Sequence, residues 1–305
     1  MQTDDRMSLE FSAPRGIYGR LANQNTAAIL AIGNNSPRPL AVASALRDAT
    51  DESWVAVGNM ELAAQGYSMA YSYFQRAVKM NSRNADALRG LSDAAAGSGQ
   101  QAEERTWLEG VAASEPTNEV VRLELSRVRA AAGESDAAID AAVEAGRLAP
   151  ANARPAEQLA SIFADIGDAD RLAPLADALV ARFPDREDSR YYHATALFLR
   201  GRAREAADEA RRLVASHPRN AKAQNLLGAA CATLGDRACA QAAFEASLRL
   251  NPRDSATYVN LGLLHLQAAN ASAAADDFND ALALDPASAP AKNGLAQAHL
   301  ALKKP

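Results

Sequence analysis

Small and apolar residues recur along this chain at a fixed interval of 34 positions. Counting each stretch from Asp51, the eighth position reads Gly58, Ser92, Ser126, Ala160, Ala194, Gly228 and Gly262, with Ala296 in a last partial stretch. The seventh is apolar at Val57, Leu91, Leu125, Leu159, Leu227 and Leu261, and His193 is the exception. The twentieth is alanine at 70, 138, 206, 240 and 274, and is replaced by Glu104 and Leu172. Glycine holds the fifteenth position at 99, 133, 167, 201 and 235, and proline recurs at 116, 150, 184, 218, 252 and 286. This pattern predicts helical hairpins. A first helix A of about fourteen residues ends in a glycine turn, and a second helix B runs on until proline, lacking an amide donor, stops it. Asp168 and Asp236, just after their turn glycines, suit the N-cap of helix B. Pro174 falls inside one expected helix B, which should therefore start late or kink.

A single hairpin cannot bury its own apolar face, so successive hairpins must stack. The expected organisation is seven repeats over residues 51–288, namely 51–84, 85–118, 119–152, 153–186, 187–220, 221–254 and 255–288, followed by a capping helix in 289–305. Residues 1–50 stand outside the frame. Two short helical patterns there, Asn25–Ile32 and Leu40–Arg47, flank the breaker Gly33-Asn34-Asn35-Ser36-Pro37-Arg38-Pro39, and suit an irregular cap over the first repeat.

Composition agrees with an all-α chain. The 305 residues include 73 alanines, the best helix former, and only 5% aromatics. Thirty-two basic and 37 acidic residues, well mixed to a net −5, argue against a nucleic-acid partner. No apolar run approaches the eighteen or so residues of a membrane span, so none is expected. The amino terminus carries no readable address, which makes the cytoplasm the default compartment.

The 34-residue period, the small eighth position, the alanine at the twentieth and the closing proline together resemble the tetratricopeptide repeat. The sixth and seventh stretches match best, through Leu227-Gly228, Ala240, Phe244 and Pro252, then Tyr258, Leu261-Gly262, Ala274, Phe278 and Pro286. The first matches through Trp54, Gly58, Tyr67, Ala70, Phe74 and Ala77, with Ser82 in place of the proline. The resemblance implies a right-handed α-solenoid that binds a protein or peptide partner in a concave groove, without catalysis. Residues 2–15, with Leu9-Glu10-Phe11 and Ala13-Pro14-Arg15, also look like the tail of spermidine-synthase-like domains. That likeness implies an alternative role as a regulatory or assembly arm of an enzyme, contacting it through the N-terminal cap or the convex face.

In such solenoids the groove is lined mainly by helix A positions two, five, six, nine, twelve and thirteen. Carried over, these mark Asn59, Arg89, Arg127, Tyr191, Tyr192, Asn225, Asn260 and Asn293 as groove candidates. Asn225, Asn260 and Asn293 would make an amide ladder able to donate to and accept from an extended backbone. Tyr191, Tyr192 and Phe198 would form an aromatic platform beside it. The Lys and Asn arrangement with which some co-chaperones clamp a terminal carboxylate is not reproduced.

Candidate chemistry is sparse. Gly97-Ser98-Gly99 falls at a hairpin turn and no phosphate-gripping Gly-Lys-Ser/Thr follows, so neither a nucleotide nor another cofactor is expected. Cys231 and Cys239 flank one hairpin turn and either bridge it or pack as reduced thiols. Similar spacing clips helical repeats of secreted bacterial proteins, and a bridge would favour the periplasm and an upstream signal. Cys231, His265 and His299 share the eleventh position, with Cys239 close by, but stacked helices about 8–10 Å apart separate such atoms, so no metal is expected. Both histidines should fill helix interfaces with one ring nitrogen hydrogen-bonded. His193 and His217 should be structural.

Overall fold

The computed structural model describes residues 50–303. Among them every regular element is an α-helix: α1 Asp51–Ala63, α2 Tyr67–Met80, α3 Ala85–Ser98, α4 Gln101–Ser114, α5 Glu119–Ala131, α6 Ser135–Leu148, α7 Ala153–Asp165, α8 Ala169–Arg182, α9 Glu187–Leu199, α10 Ala203–Ser216, α11 Ala221–Thr233, α12 Arg237–Leu250, α13 Ser255–Gln267, α14 Ala271–Leu284 and α15 Ala289–Leu302. Odd-numbered helices are the A type and even-numbered ones the B type. The chain forms two compact units, α1–α5 in residues up to 134 and α6–α15 from 135 onward. The helical patterns at Asn25–Ile32 and Leu40–Arg47, and the segment 2–15, lie outside the described residues.

Local chemistry sets where each helix begins. The residue before seven of the eight A helices is Thr50, Asn84, Asn118, Asn152, Asn220, Asp254 or Ser288, and its side-chain oxygen accepts an amide hydrogen of the first turn. Arg186, before α9, makes no such bond. Asp168 and Asp236 cap α8 and α12 through the amides of Arg171 and Cys239, and Asn270 caps α14. Such a cap contributes about 1 kcal/mol.

The turn and the stop follow equally local rules. Gly99, Gly133, Gly167, Gly201 and Gly235 all take φ of 71–78°, in the left-handed region. The same fifteenth position in the first and seventh stretches holds Gln65 at φ 61° and Ala269 at φ 57°, so the turn geometry persists where glycine is missing. Proline acts one residue earlier than expected. Each B helix ends two residues before it, because the pre-proline residue is pushed out of the helical region; Glu115, Phe183, His217, Asn251 and Asp285 have φ between −124° and −137°. Pro174 neither delays nor ends α8, which starts on register at Ala169. It lies on the exposed side of the helix, and the carbonyl it strands belongs to exposed Asp170, where water can reach it.

Close packing explains the small positions. Phe278 is fully buried between α13 and α15, where a Cβ on Gly262 would come 2.8 Å from its ring and one on Gly294 only 2.3 Å. The alanines at 70, 138, 206, 240 and 274 are fully buried, and so is Leu172. In the first unit the core gathers Trp54, Val57, Phe74, Leu88, Leu91, Leu108 and Val121. In the second, successive clusters around Leu172 and Leu179, then Leu227 and Phe244, then Phe278, follow the stack of helix pairs.

Candidate functional site

The A helices of the second unit carry five of the eight candidate groove residues, Tyr191, Tyr192, Asn225, Asn260 and Asn293. Asn260 of α13 donates through Nδ2 to Oδ1 of Asn225 of α11 at 2.9 Å. Tyr191 and Tyr192 of α9 pack edge to face, ring centroids 5.2 Å apart. Lys222 of α11 sets its Nζ 6.0 Å from the centre of the Tyr191 ring. At the end of α7, burial holds the Asp165 carboxyl above its ordinary range, while the Lys222 charge and a hydrogen bond from Ser161 act the other way. Burial likewise raises both tyrosine hydroxyls, and Ser161 hydrogen-bonds that of Tyr192.

Two expectations change here. Tyr192 is 7% exposed and belongs to the core against Leu172 and Leu179, so it cannot serve as a surface anchor. Adjacent residues on a helix point about 100° apart, and Tyr191 alone keeps a partly open face. Phe198, like Tyr191, is partly buried and packs against the cluster around Leu227 and Phe244. The amide ladder has two rungs: Asn293 of α15 is exposed and no hydrogen bond ties it to Asn260.

Asn59, Arg89 and Arg127 lie in the first unit. Asn59 and Arg89 are exposed. Arg127 pairs with Glu124 at 3.2 Å, and Glu124 accepts from the Ser92 hydroxyl at 2.9 Å. The same hydroxyl touches the carboxyl of Glu104, the residue standing where other stretches have alanine. Burial, with Glu124 and Asp93 nearby, pushes the Glu104 carboxyl up to about 7, against the opposing hydrogen bond from Ser92. Sequence reading singles out Glu104 as a departure from pattern but gives no hint of its two-carboxyl arrangement.

Cys231 and Cys239 are joined by a disulfide across the α11–α12 turn, Cα atoms 5.8 Å apart. The histidines of their column go elsewhere. His265 places Nδ1 2.5 Å from the Asp277 carboxylate, whereas His299 is exposed. Among the described residues, Cys231, Asp236 and Cys239 form a group whose ligand atoms lie within 4.8 Å of one another. His193 faces Asp177 at 3.4 Å and His217 bonds Ser216 at 2.9 Å. Ser98, in the Gly-Ser-Gly turn, donates to the Ala94 carbonyl at 2.8 Å and acts as helix-end structure. Among the described residues no helix is long and apolar enough to cross a membrane.

Known proteins of this architecture resemble the chain. A tetratricopeptide-repeat family profile matches residues 58–119, 191–254, 233–289 and 259–305, over half of the sequence. A tetratricopeptide repeat protein from Parabacteroides merdae superposes with a TM-score of 0.64 at 16% identity, covering 82% of this chain and 98% of its own. A thermophilic repeat protein of the same kind from Thermus thermophilus gives 0.55 at 22% identity, covering 60% of this chain and 99% of its own. No curated protein matches the sequence. Nothing in these comparisons supports the likeness of residues 2–15 to spermidine-synthase-like domains. The helix-pair period, the buried small positions and the family match agree that this chain belongs to the tetratricopeptide repeat family.

Proposed function

We propose that this chain is a non-enzymatic interaction scaffold that holds an extended segment of a partner protein along the A-helix face of α9, α11 and α13. The carrying observation is the Asn260–Asn225 hydrogen bond. It fixes both amides across neighbouring repeats, yet leaves Asn225 its N–H donors and Asn260 its carbonyl oxygen. That pair complements one peptide unit, whose C=O accepts from Asn225 and whose N–H donates to Asn260. Tyr191, partly open and flanked by Lys222, supplies an apolar surface with a cationic edge for an adjoining side chain. The Cys231–Cys239 bridge supports an oxidising compartment over the cytoplasmic default.

Peptides selected from a displayed random library on the full chain supply the probe. Binding measured by fluorescence anisotropy should weaken about tenfold in Asn260→Ala and in Asn225→Ala, matching the loss of a hydrogen bond worth about 1–1.5 kcal/mol, with far-UV circular dichroism unchanged. Arg89→Ala, in the first unit, should bind as before. Selected peptides whose affinity ignores both asparagines would refute the proposal.

A further inference from the structure

The disulfide has a third ligand beside it. Cys231 is fully buried on α11, while Cys239, the third residue of α12, is partly exposed. Asp236 caps α12, and its Oδ1 accepts the amide hydrogen of Cys239 at 3.0 Å, which leaves Oδ2 uncommitted. Both sulfurs and a carboxylate oxygen of Asp236 lie within 4.8 Å of one another. Arg211 of α10 holds a guanidinium N–H 3.8 Å from Sγ of Cys231, and Cys239 sits in the first turn of α12, at the positive end of the helix dipole.

Opening the bridge requires an external dithiol. Its thiolate attacks the accessible Cys239 sulfur, the S–S bond breaks, and Cys231 leaves as thiolate. The second thiol of the reductant then displaces Cys239, so the protein gains two electrons and two thiols while the reductant becomes a disulfide.

We propose that this reduction converts the bridge into a cation site in which Cys231 Sγ, Cys239 Sγ and Asp236 Oδ2 bind a zinc-class divalent ion, with water completing the tetrahedron. Tetrahedral zinc with bonds of about 2.0–2.3 Å needs ligand atoms about 3.3–3.8 Å apart; the sulfurs, joined in the oxidised chain, move apart toward that spacing once the bridge opens, and an Asp236 carboxylate oxygen lies within 4.8 Å of both. Binding releases the protons of any thiol not yet ionised. The set excludes the neighbouring histidine of the column, because His265 is committed to Asp277. The consequence is a clip that survives a change of redox state: the α11–α12 hairpin is closed covalently when oxidised and by the ion when reduced.

Cobalt(II) tests this directly on the full chain, reduced with a dithiol and desalted without air. The reduced wild type should take up one Co²⁺ per chain with thiolate-to-cobalt charge-transfer absorption that Zn²⁺ abolishes, and the oxidised chain should show none. Cys239→Ser should lose the absorption. Asp236→Asn keeps the helix cap, since asparagine caps as well as aspartate, yet should weaken Co²⁺ binding by about tenfold or more. Absent absorption in the reduced wild type, or an Asp236→Asn chain that binds as tightly as wild type, would overturn the site.

Discussion

Replacing Glu104 with glutamine should stabilise the first unit at high pH and leave it unchanged at low pH. The Ser92 hydroxyl has one proton, yet it lies against the carboxyls of both Glu104 and Glu124. One donated proton cannot satisfy two ionised carboxylates, so two charges here are poorly compensated. Glu124 pairs with Arg127, whereas Glu104 is 2% exposed and pairs with no cation among the described residues, so burial favours its protonated form. Its carboxyl ionises near 4.5 ordinarily and at about 7 in the fold. The sign follows from that order. Stability from this site is complete below pH 4.5, declines as pH rises, and is gone above 7. At 1.36 kcal/mol per pH unit, the wild type should lose about 3 kcal/mol across the window. Glutamine keeps the shape, is neutral throughout and donates from its amide, so its stability should stay level. Both tryptophans, Trp54 and Trp107, lie in the first unit, and their fluorescence during urea unfolding at pH 5, 6, 7 and 8 reads that unit alone. A wild-type midpoint that ignores pH, or a Glu104→Gln variant with the wild-type slope, would refute the shared-proton reasoning.

Other substitutions test the packing and the turns. Ala269→Gly should raise stability by up to about 1 kcal/mol, because a left-handed alanine costs about 1–2 kcal/mol and glycine's extra chain entropy returns part of that; chemical denaturation followed by circular dichroism checks it. Gly294→Ala drives a methyl to within 2.3 Å of the Phe278 ring and should cost about 1–3 kcal/mol in the same assay. Arg186→Ala removes a two-pronged hydrogen bond of 2.6 and 2.7 Å from buried Glu157, leaving only Ser189 to donate to it, and should cost about 1–3 kcal/mol. Unchanged thermal unfolding of the Arg186 variant would show that water replaces the guanidinium without loss.

The helices were legible in the sequence because their signals are local. A capping oxygen, a turn glycine and a proline each act within a few residues, so the starts at Ala85, Ala153, Ala221 and Ser255 fall on the frame read from spacing alone. Pro174 did not delay its helix: local chemistry says only that an amide is missing, and not that the stranded carbonyl faces water. The candidate site was half legible. Position numbers pick the helix face, and Asn225 and Asn260, chosen that way, do touch across neighbouring A helices. They cannot tell which of two adjacent tyrosines the neighbouring helix covers, and Tyr192 went to the core. Nor can they set the spacing between repeats that decides which amides touch, which is why Asn293 dropped out of the ladder. The cysteines illustrate the same limit, since both readings of their spacing were chemically sound until the hairpin geometry brought the sulfurs together.

Photo-crosslinking tests the central claim most directly. A library-selected peptide carrying a benzophenone would be irradiated on the full chain and its attachment points mapped by mass spectrometry. The account predicts adducts on α9, α11 and α13, near Tyr191, Asn225 and Asn260. Adducts confined to the B helices α10, α12 and α14 would contradict it.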